Sequence, residues 1–212
     1  MIDSHKIDYS KLDTLNVSRE TFLELDEFKE MILDENKKIN LISQHTEELA
    51  RNRHIIDCAQ IIDLIDENYL SCTDLGSGSG LPGLVLAIIK KKQKSNLKFF
   101  LYEKSFKKTI FLKNVIKKFE LNAEVINKNI YDQKNLSSDL IVARAFKPLP
   151  EILDLVTKNF NDFKDIILFL GKSGKASINQ CLEKWNLEFI EKESVTEKDS
   201  ILIKINKVSK RK

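Results

Sequence analysis

The first third of the chain carries an amphipathic pattern with helical spacing. Ser18 is a suitable N-cap, and apolar residues then recur every three or four positions as far as about Asn36. A second apolar stripe begins after Thr46, which can cap another helix, and ends near Ile65. No strand pattern separates the two stripes. Residues 1–68 are therefore predicted to form a helical cap that packs on the rest of the protein.

From about residue 69 the pattern changes to apolar runs of strand length that alternate with longer amphipathic segments. The predicted strands are residues 70–75, 97–103, 123–127, 139–144, 165–170, 186–192 and 200–206. The predicted helices are residues 82–92, 106–120, 148–160 and 174–184. This alternation predicts that residues 69–212 form an α/β domain with a mostly parallel, seven-stranded sheet. No helix separates the last two strands, so we expect them to be antiparallel to each other.

Composition limits the class of protein. The chain has 212 residues, enough for one full-sized domain, of which 42% are hydrophobic and 32% are charged. No apolar run approaches the ~20 residues that span a bilayer, and Met1–Lys6 lacks the apolar core of a signal peptide. Three scattered cysteines indicate neither a disulfide framework nor a zinc site. We expect a cytoplasmic protein that needs no membrane and no metal, and nothing in the sequence demands more than a monomer.

A glycine-rich turn between the first predicted strand and the helix after it carries the most information. Its glycines, Gly76, Gly78 and Gly80, stand at alternate positions, so the backbone can adopt positive φ and approach a ligand closely. Asp74 precedes them, and Glu103 ends the next strand. This arrangement is typical of loops that hold S-adenosylmethionine, whose ribose offers two hydroxyl groups to a carboxylate. The same letters satisfy the dinucleotide pattern, so a nicotinamide cofactor is the alternative.

Polar residues also collect where two later strands end. In open α/β sheets, ligands bind beyond the carboxyl ends of the strands. Residues 127–132 and 144–147 occupy such ends, as Asp74 and Glu103 do. The sequence therefore predicts one site at this edge of the sheet.

Several motifs follow one another in the order found in one family. They are Asn40-Leu41-Ile42-Ser43, Arg53-His54-Ile55-Ile56-Asp57, the loop ending in Gly80-Leu81-Pro82-Gly83, Glu103-Lys104-Ser105-Phe106-Lys107-Lys108, Ala143-Arg144-Ala145-Phe146 and Gly171-Lys172. From about residue 20 to 205 the chain resembles the RsmG family, also called glucose-inhibited division protein B. That family methylates N7 of a guanine in bacterial small-subunit (16S) ribosomal RNA. The resemblance implies a Rossmann-like class I methyltransferase fold, S-adenosylmethionine as cofactor, and small-subunit rRNA or the 30S particle as partner.

The resemblance also implies roles for individual residues. Gly76 and Leu81 match positions that contact the methyl donor, and Glu103 matches the end of the strand that binds the ribose. The expected donor-binding residues are Asp74, Gly76, Ser77, Gly78, Leu81, Glu103, Ile130, Tyr131 and Arg144. Tyr131 stands where the family often has an acid, and Asp132 comes next, so the adenine-side pair can also be aligned one residue later.

Methylation of guanine N7 places few chemical demands on the protein. The nitrogen carries a lone pair and no proton, so no general base is needed. Catalysis then depends on holding N7 in line with the S–CH3 bond. Arg144, the predicted catalytic residue, is accordingly expected to donate hydrogen bonds to guanine O6, to a phosphate or to the donor carboxylate. The strand before it lacks the Asn/Asp-Pro-Pro-aromatic motif that would hold an exocyclic amine.

Basic residues and one aromatic residue are predicted to contact the RNA. They are Arg51, Arg53, His54, Lys104, Lys107, Lys108, Phe146, Lys147 and Lys172. A net charge of +3 does not indicate a nucleic-acid partner by itself. Structural alternatives exist for three of these residues: Arg53 can pair with Asp57, His54 can be a half-buried structural histidine, and Phe146 can be a core aromatic residue.

The residues alone leave other functions open. One is a different S-adenosylmethionine enzyme that acts on another nucleic acid or on a small molecule. Another is a nicotinamide-dependent oxidoreductase, although the sequence has no Tyr-x-x-x-Lys pair or evident His–Asp dyad. A third is a non-catalytic RNA-binding or assembly factor that retains a cofactor fold.

Overall fold

The computed structural model describes residues 17–211, which form a seven-stranded sheet with helices on both faces. The strands are β1 (Ser71–Leu75), β2 (Lys98–Tyr102), β3 (Ala123–Ile126), β4 (Leu136–Arg144), β5 (Phe160–Leu170), β6 (Trp185–Glu193) and β7 (Ile201–Lys210). The first sixteen residues of the predicted cap, including the Met1–Lys6 segment, lie outside the described residues, as does Lys212.

The sheet has the order β3-β2-β1-β4-β5-β7-β6. β1 pairs in parallel with β2 on one side and with β4 on the other. β7 lies between β5 and β6 and is antiparallel to both. The prediction of a mostly parallel sheet with one reversed strand is confirmed. Strand order changes direction between β1 and β4, and ligands of open α/β sheets bind beside the carboxyl ends of the strands at such a point.

The helices divide between the two faces of the sheet. They are α1 (Arg19–Asn36), α2 (Asp57–Ala59), α3 (Gly83–Lys92), α4 (Phe106–Phe119), α5 (Leu149–Asn159) and α6 (Gly174–Leu182). Apolar side chains of α1, α3 and α4 share one buried cluster. Those of α5 and α6 share a second cluster, on the opposite face. The α/β architecture is thus a three-layer one.

The predicted cap begins with α1, whose sequence accounts for its ends and its packing. The Ser18 Oγ accepts a hydrogen bond from the Thr21 N–H at 3.3 Å and so caps the helix. Leu25, Phe28 and Ile32 are buried on one side of the helix and join the cluster that includes α3. This amphipathic face fastens the cap to the sheet.

The second helix predicted for the cap is interrupted. Residues Gln44–Thr46 form a 3-10 turn, Arg51–Ile56 a π-helical segment, and Ile62–Leu64 another 3-10 turn, with only the short α2 between them. A tertiary contact accompanies the break, because the Arg53 carbonyl accepts a hydrogen bond from Arg144 at the end of β4. The apolar spacing predicted one continuous helix, which is wrong, because the structure has short helical segments of three types here. π-Helical segments are frequent at functional sites.

Within the part of the chain that the structure describes, no helix combines the length and the apolarity needed to cross a bilayer.

Candidate active site

The glycine loop follows β1 and has the positive φ angles that its sequence predicts. Gly76, Gly78 and Gly80 have φ values of +69°, +57° and +89°, which favour glycine over residues with a side chain. A Cβ atom at Gly76 would lie 2.3 Å from Phe146 Cδ2. Glycine at this position therefore allows the aromatic ring to rest directly on the loop.

Asp74 lies beneath this loop and is fully buried. Its Oδ2 accepts a hydrogen bond from the Gly83 N–H at 3.1 Å, at the start of α3. Its Oδ1 has no hydrogen-bond partner among the described residues. Burial raises the pKa of the Asp74 carboxyl to about 7. Asp74 is not among the residues that line the cleft above the loop, so its position supports the loop from below.

Glu103 fastens the same loop to the end of β2. Its Oε2 accepts a hydrogen bond from the Gly78 N–H at 2.9 Å, and its Oε1 accepts one from the Ser105 N–H at 2.7 Å. The carboxylate is only 8% exposed but lies in the cleft wall. A carboxylate oxygen can accept more than one hydrogen bond, so Glu103 can hold the loop and still accept from a ribose hydroxyl.

The cleft above the loop has a volume of about 690 Å³. Of the predicted donor-binding residues, Gly76, Ser77, Gly78, Leu81, Glu103, Ile130, Tyr131 and Arg144 line it. Asp132 does not, so the geometry favours the alignment that pairs Ile130 with Tyr131. The rings of Tyr131 and Phe146 stack with their centroids 6.1 Å apart. These apolar side chains give the cleft a wall suited to a flat ring.

A buried amide on a neighbouring helix shapes that wall. Asn159 Nδ2 donates to the carbonyl oxygens of Ile130, Tyr131 and Gln133 at 3.1, 3.2 and 2.6 Å. Nothing in the sequence indicated Asn159 as a supporting residue, because these three hydrogen bonds join residues 26 to 29 positions apart. Asn129 and Lys128 also line the cleft and were not predicted individually, although both lie near the strand end that was.

Arg144 ends β4 and joins the sheet to the cap. Its Nε donates to Asp57 Oδ2 at 2.8 Å, and its Nη2 donates to the Arg53 carbonyl at 2.6 Å. Asp57 in turn accepts from Thr196 Oγ1 at 2.6 Å and from Gln60 Nε2 at 2.8 Å. Arginine has five N–H donors, and Nη1 donates to no other group among the described residues. The Arg144 guanidinium is thus held in place, and its Nη1 donors are available to a ligand.

A second cavity of about 350 Å³ adjoins the cleft. It lies between the cap, the carboxyl ends of β4 and β5, and the loop from Ser194 to Ser200 that joins β6 to β7. Ser43, His54, Arg144 and Ala145 line both spaces. Arg144 therefore stands in the wall that the cleft and the second cavity share.

His54 is 8% exposed and belongs to this shared wall. Its Nε2 lies 2.9 Å from Thr46 Oγ1, and its Nδ1 lies 3.4 Å from Arg144 Nη2. Burial, followed by the nearby Arg144 charge, lowers the pKa of His54 to about 4. The structural alternative for His54 is therefore favoured, because a buried neutral ring is a poor contact for an RNA phosphate.

The two predicted RNA-binding arginines of the cap form ion pairs within the protein. Arg51 Nη2 lies 2.5 Å from Asp26 Oδ2 of α1. Arg53 pairs with Glu197 in the β6–β7 loop. The suggested pair between Arg53 and Asp57 is wrong, since Arg144 occupies that carboxylate. An RNA contact by either cap arginine stays a prediction, and it would have to compete with these pairs.

The predicted lysines lie around the mouth to different degrees. Lys104, Lys108 and Lys147 line the cleft. Lys107 is exposed on α4 beside them, and Lys172 is exposed after β5 without lining either cavity. Phe146 is partly buried over Gly76 and lines the cleft as well, so both of its predicted roles are compatible with its position.

The segment Leu41-Ile42-Ser43 forms a further wall of the cleft that no individual prediction covered. Asn36, at the end of α1, holds it through one side-chain oxygen, which accepts from the Leu41 and Ile42 N–H groups at 2.7 and 3.0 Å. These residues belong to one of the motifs that carry the family resemblance. Its place in the site follows from the packing of α1 on α3, which brings the end of α1 to the cleft.

The residues of the cleft fit a nucleoside with an attached amino acid. A volume of about 690 Å³ is in the usual range for cofactor sites. Ile130 and Tyr131 offer an apolar wall, Glu103 an acceptor for hydroxyl groups, and the glycine backbone a close approach. Together with the sheet order, this site defines a class I S-adenosylmethionine-dependent methyltransferase.

Comparison with known proteins supports this class and narrows it. Residues 22–203 match the sequence model of the family GidB, described as rRNA small subunit methyltransferase G. The chain is 47% identical over 205 residues to ribosomal RNA small subunit methyltransferase G of Pelagibacter ubique, with 96% of each chain covered. It is 31% identical to the protein of that name from Ruegeria pomeroyi, with 93% of this chain and 97% of the relative covered.

Solved structures share the fold. The 16S rRNA methylase RmtB superposes with a TM-score of 0.56 at 12% identity, covering 93% of this chain and 80% of that one. The family match and the relatives show that the chain belongs to the GidB family, rRNA small subunit methyltransferase G. It is thus an S-adenosylmethionine-dependent methyltransferase of small-subunit ribosomal RNA, and the nicotinamide-dependent alternative is set aside.

Proposed function

We propose that this enzyme transfers the methyl group of S-adenosylmethionine to N7 of a guanine in 16S ribosomal RNA. The observation that carries the proposal is the place of Arg144, which lines both the cleft and the adjoining cavity and keeps the Nη1 donors unused. A donor in the cleft and a base in the second cavity would meet at this residue. Family membership supports the choice of guanine N7.

In this proposal the cleft holds the methyl donor. The backbone of Gly76 and Gly78 lies against it, Glu103 accepts hydrogen bonds from the ribose, and Ile130 and Tyr131 flank the adenine. Asp74 acts from beneath, through the Gly83 N–H, by keeping the loop in place. When bound, the donor supplies an electrophilic methyl group on a sulfonium sulfur.

The second cavity holds the target base, with Arg144 donating to guanine O6. Arg144 would hold the base with N7 toward the cleft, where the bound donor would supply the methyl group and keep the electron pair of the broken bond on its sulfur. No proton leaves N7, so the site needs no base. Among the residues that the structure describes, His54 is the histidine that lines both spaces, and it does not have to exchange a proton. Its neutral ring is consistent with a step whose rate depends on alignment.

The surroundings of the site support the rest of the proposal. Lys104, Lys108 and Lys147 at the mouth supply positive charge for the RNA backbone. We propose that the enzyme works as a monomer, without a metal ion, in the cytoplasm where ribosomal subunits are made.

The test is transfer of labelled methyl groups to small ribosomal subunits from cells that lack the enzyme. Nucleoside analysis by mass spectrometry should find the label as N7-methylguanosine. Arg144→Ala should bind S-adenosylhomocysteine in calorimetry and lose transfer by about 100-fold, roughly the effect of removing a preorganised donor. Arg19→Ala, which truncates an exposed arginine that lines neither cavity and has no predicted RNA contact, is the control. Label on another atom, or full transfer by Arg144→Ala, would contradict the proposal.

A further inference from the structure

An exposed aromatic side chain stands beside the cleft and takes no part in the site described so far. Phe106 is the first residue of α4 and is 68% exposed, more than any other large apolar side chain among the described residues. Ile110, one turn further along α4, is 46% exposed. In the chain Phe106 lies between Lys104 and Lys108, both of which line the cleft. The aromatic ring is therefore presented at the rim of the cleft and not in its wall.

The lysines around Phe106 carry uncompensated charge. Elsewhere on the same face of the protein, lysines are paired: Lys92 with Glu24 and Lys118 with Glu27, each at 2.7 Å. By contrast, no carboxylate of residues 17–211 forms an ion pair with the lysines of this rim, Lys104, Lys107 and Lys108. A surface that combines free positive charge with an exposed ring suits a polyanion that has flat apolar groups.

The backbone that carries Phe106 is firmly held. Glu103 Oε1 accepts from the Ser105 N–H at 2.7 Å, and the Ser105 side chain caps α4. Asn127 Nδ2 donates to the carbonyl oxygens of Glu103 and Lys104 at 2.9 and 3.1 Å. Because the backbone of this turn is already ordered, binding a partner here costs little additional loop entropy. This low cost suits a binding surface.

We infer that Phe106, together with Lys104, Lys107 and Lys108, is a docking surface for an unpaired segment of the substrate RNA next to the target guanine. The ring stacks on one base, and the lysines contact the phosphates on either side. Stacking of a base on an aromatic side chain tolerates any base, so this surface adds affinity without choosing the sequence. The inference rests on the proposed function, since it assigns part of the same substrate to the rim.

The first experiment compares Phe106→Ala with Leu70→Ala. Leu70 is 63% exposed and directly precedes β1, at the edge of the sheet opposite the cleft. With small subunits from cells lacking the enzyme, Phe106→Ala should raise the KM for subunits about tenfold, the size expected for one lost stacking contact. The KM for S-adenosylmethionine should stay unchanged. Leu70→Ala should behave as wild type, and Phe106→Trp should restore the KM for subunits.

A change in the KM for subunits that Leu70→Ala reproduces, or no change in Phe106→Ala, would overturn the inference. Transfer by the wild-type enzyme in the same assay keeps this outcome distinct from a failure of the proposed function.

The second experiment identifies what touches the rim. Cys58, Cys72 and Cys181 are all buried, so Phe106→Cys offers one exposed thiol for a short photoreactive maleimide. Bound to small subunits and irradiated, this variant should cross-link to rRNA, whereas labelled Leu70→Cys should not. Cross-linking to a ribosomal protein would show that the surface meets something other than the RNA, and equal cross-linking from both positions would show that the RNA does not prefer this surface. Either result would overturn the inference.

Discussion

Replacing Asp74 by asparagine tests the placement of this carboxyl beneath the glycine loop. The substitution keeps the size of the side chain and an oxygen that can accept from the Gly83 N–H. It removes a buried carboxyl whose pKa burial raises from 3.8 to about 7. At about 1.4 kcal/mol per pH unit, that difference corresponds to about 4 kcal/mol of folding free energy that depends on pH.

The sign follows from comparing the folded and unfolded chains. Below pH 3.8 both hold the proton, and the contribution of Asp74 to stability is fully present. Between 3.8 and about 7 only the folded protein holds it, so stability falls as the pH rises across this window. In Asp74→Asn this loss is absent. The variant should therefore gain stability relative to wild type by roughly 3 kcal/mol between pH 5 and pH 8.

Urea unfolding at several pH values measures this difference. Trp185 is the only tryptophan and is buried, so its fluorescence reports unfolding. His54 acts in the opposite sense between pH 6.5 and about 4, because burial lowers its pKa. It is present in both proteins, however, and cancels in the comparison. Asp74→Asn should bind S-adenosylhomocysteine within about threefold of wild type, since its contact is with the loop. A stability difference that stays constant with pH would refute the burial argument, and a large loss of affinity would place Asp74 at the donor.

Two further substitutions test the walls of the cleft. Gly76→Ala would combine a φ of +69° with a Cβ atom 2.3 Å from Phe146, so its affinity for S-adenosylhomocysteine in calorimetry should fall about tenfold or more. The control Gly171→Ala, with no atom within 4 Å of the added Cβ, should leave this affinity unchanged. Equal losses of affinity in the two variants would contradict this account. Asn159→Ala would leave buried carbonyl groups without donors, so unfolding followed by circular dichroism should show a loss of about 2 kcal/mol. Full stability in that variant would mean that its three hydrogen bonds contribute nothing.

Much of the fold was predictable because it depends on local signals. Apolar runs of strand length and intervening amphipathic segments identified all seven strands and the helices between them. The missing helix between β6 and β7 predicted the reversed strand. The glycine loop was predictable because a backbone with positive φ favours glycine. Glu103 was predictable because it directly follows an apolar run of strand length.

The parts that were missed depend on contacts between residues far apart in the chain. The Arg144–Asp57 pair joins positions 87 residues apart, and the bond from Thr196 to Asp57 spans 139. The apolar spacing along the chain does not predict hydrogen bonds between residues so far apart. The spacing that suggested an Arg53–Asp57 pair is valid for an isolated helix, but in the folded chain Arg144 pairs with Asp57 instead. Arg144, which makes this pair, also forms part of the wall between the cleft and the second cavity. The i, i+4 rule therefore failed at the place where the cap meets the sheet and forms the site. Such failures are expected at functional sites, where tertiary contacts override local preference.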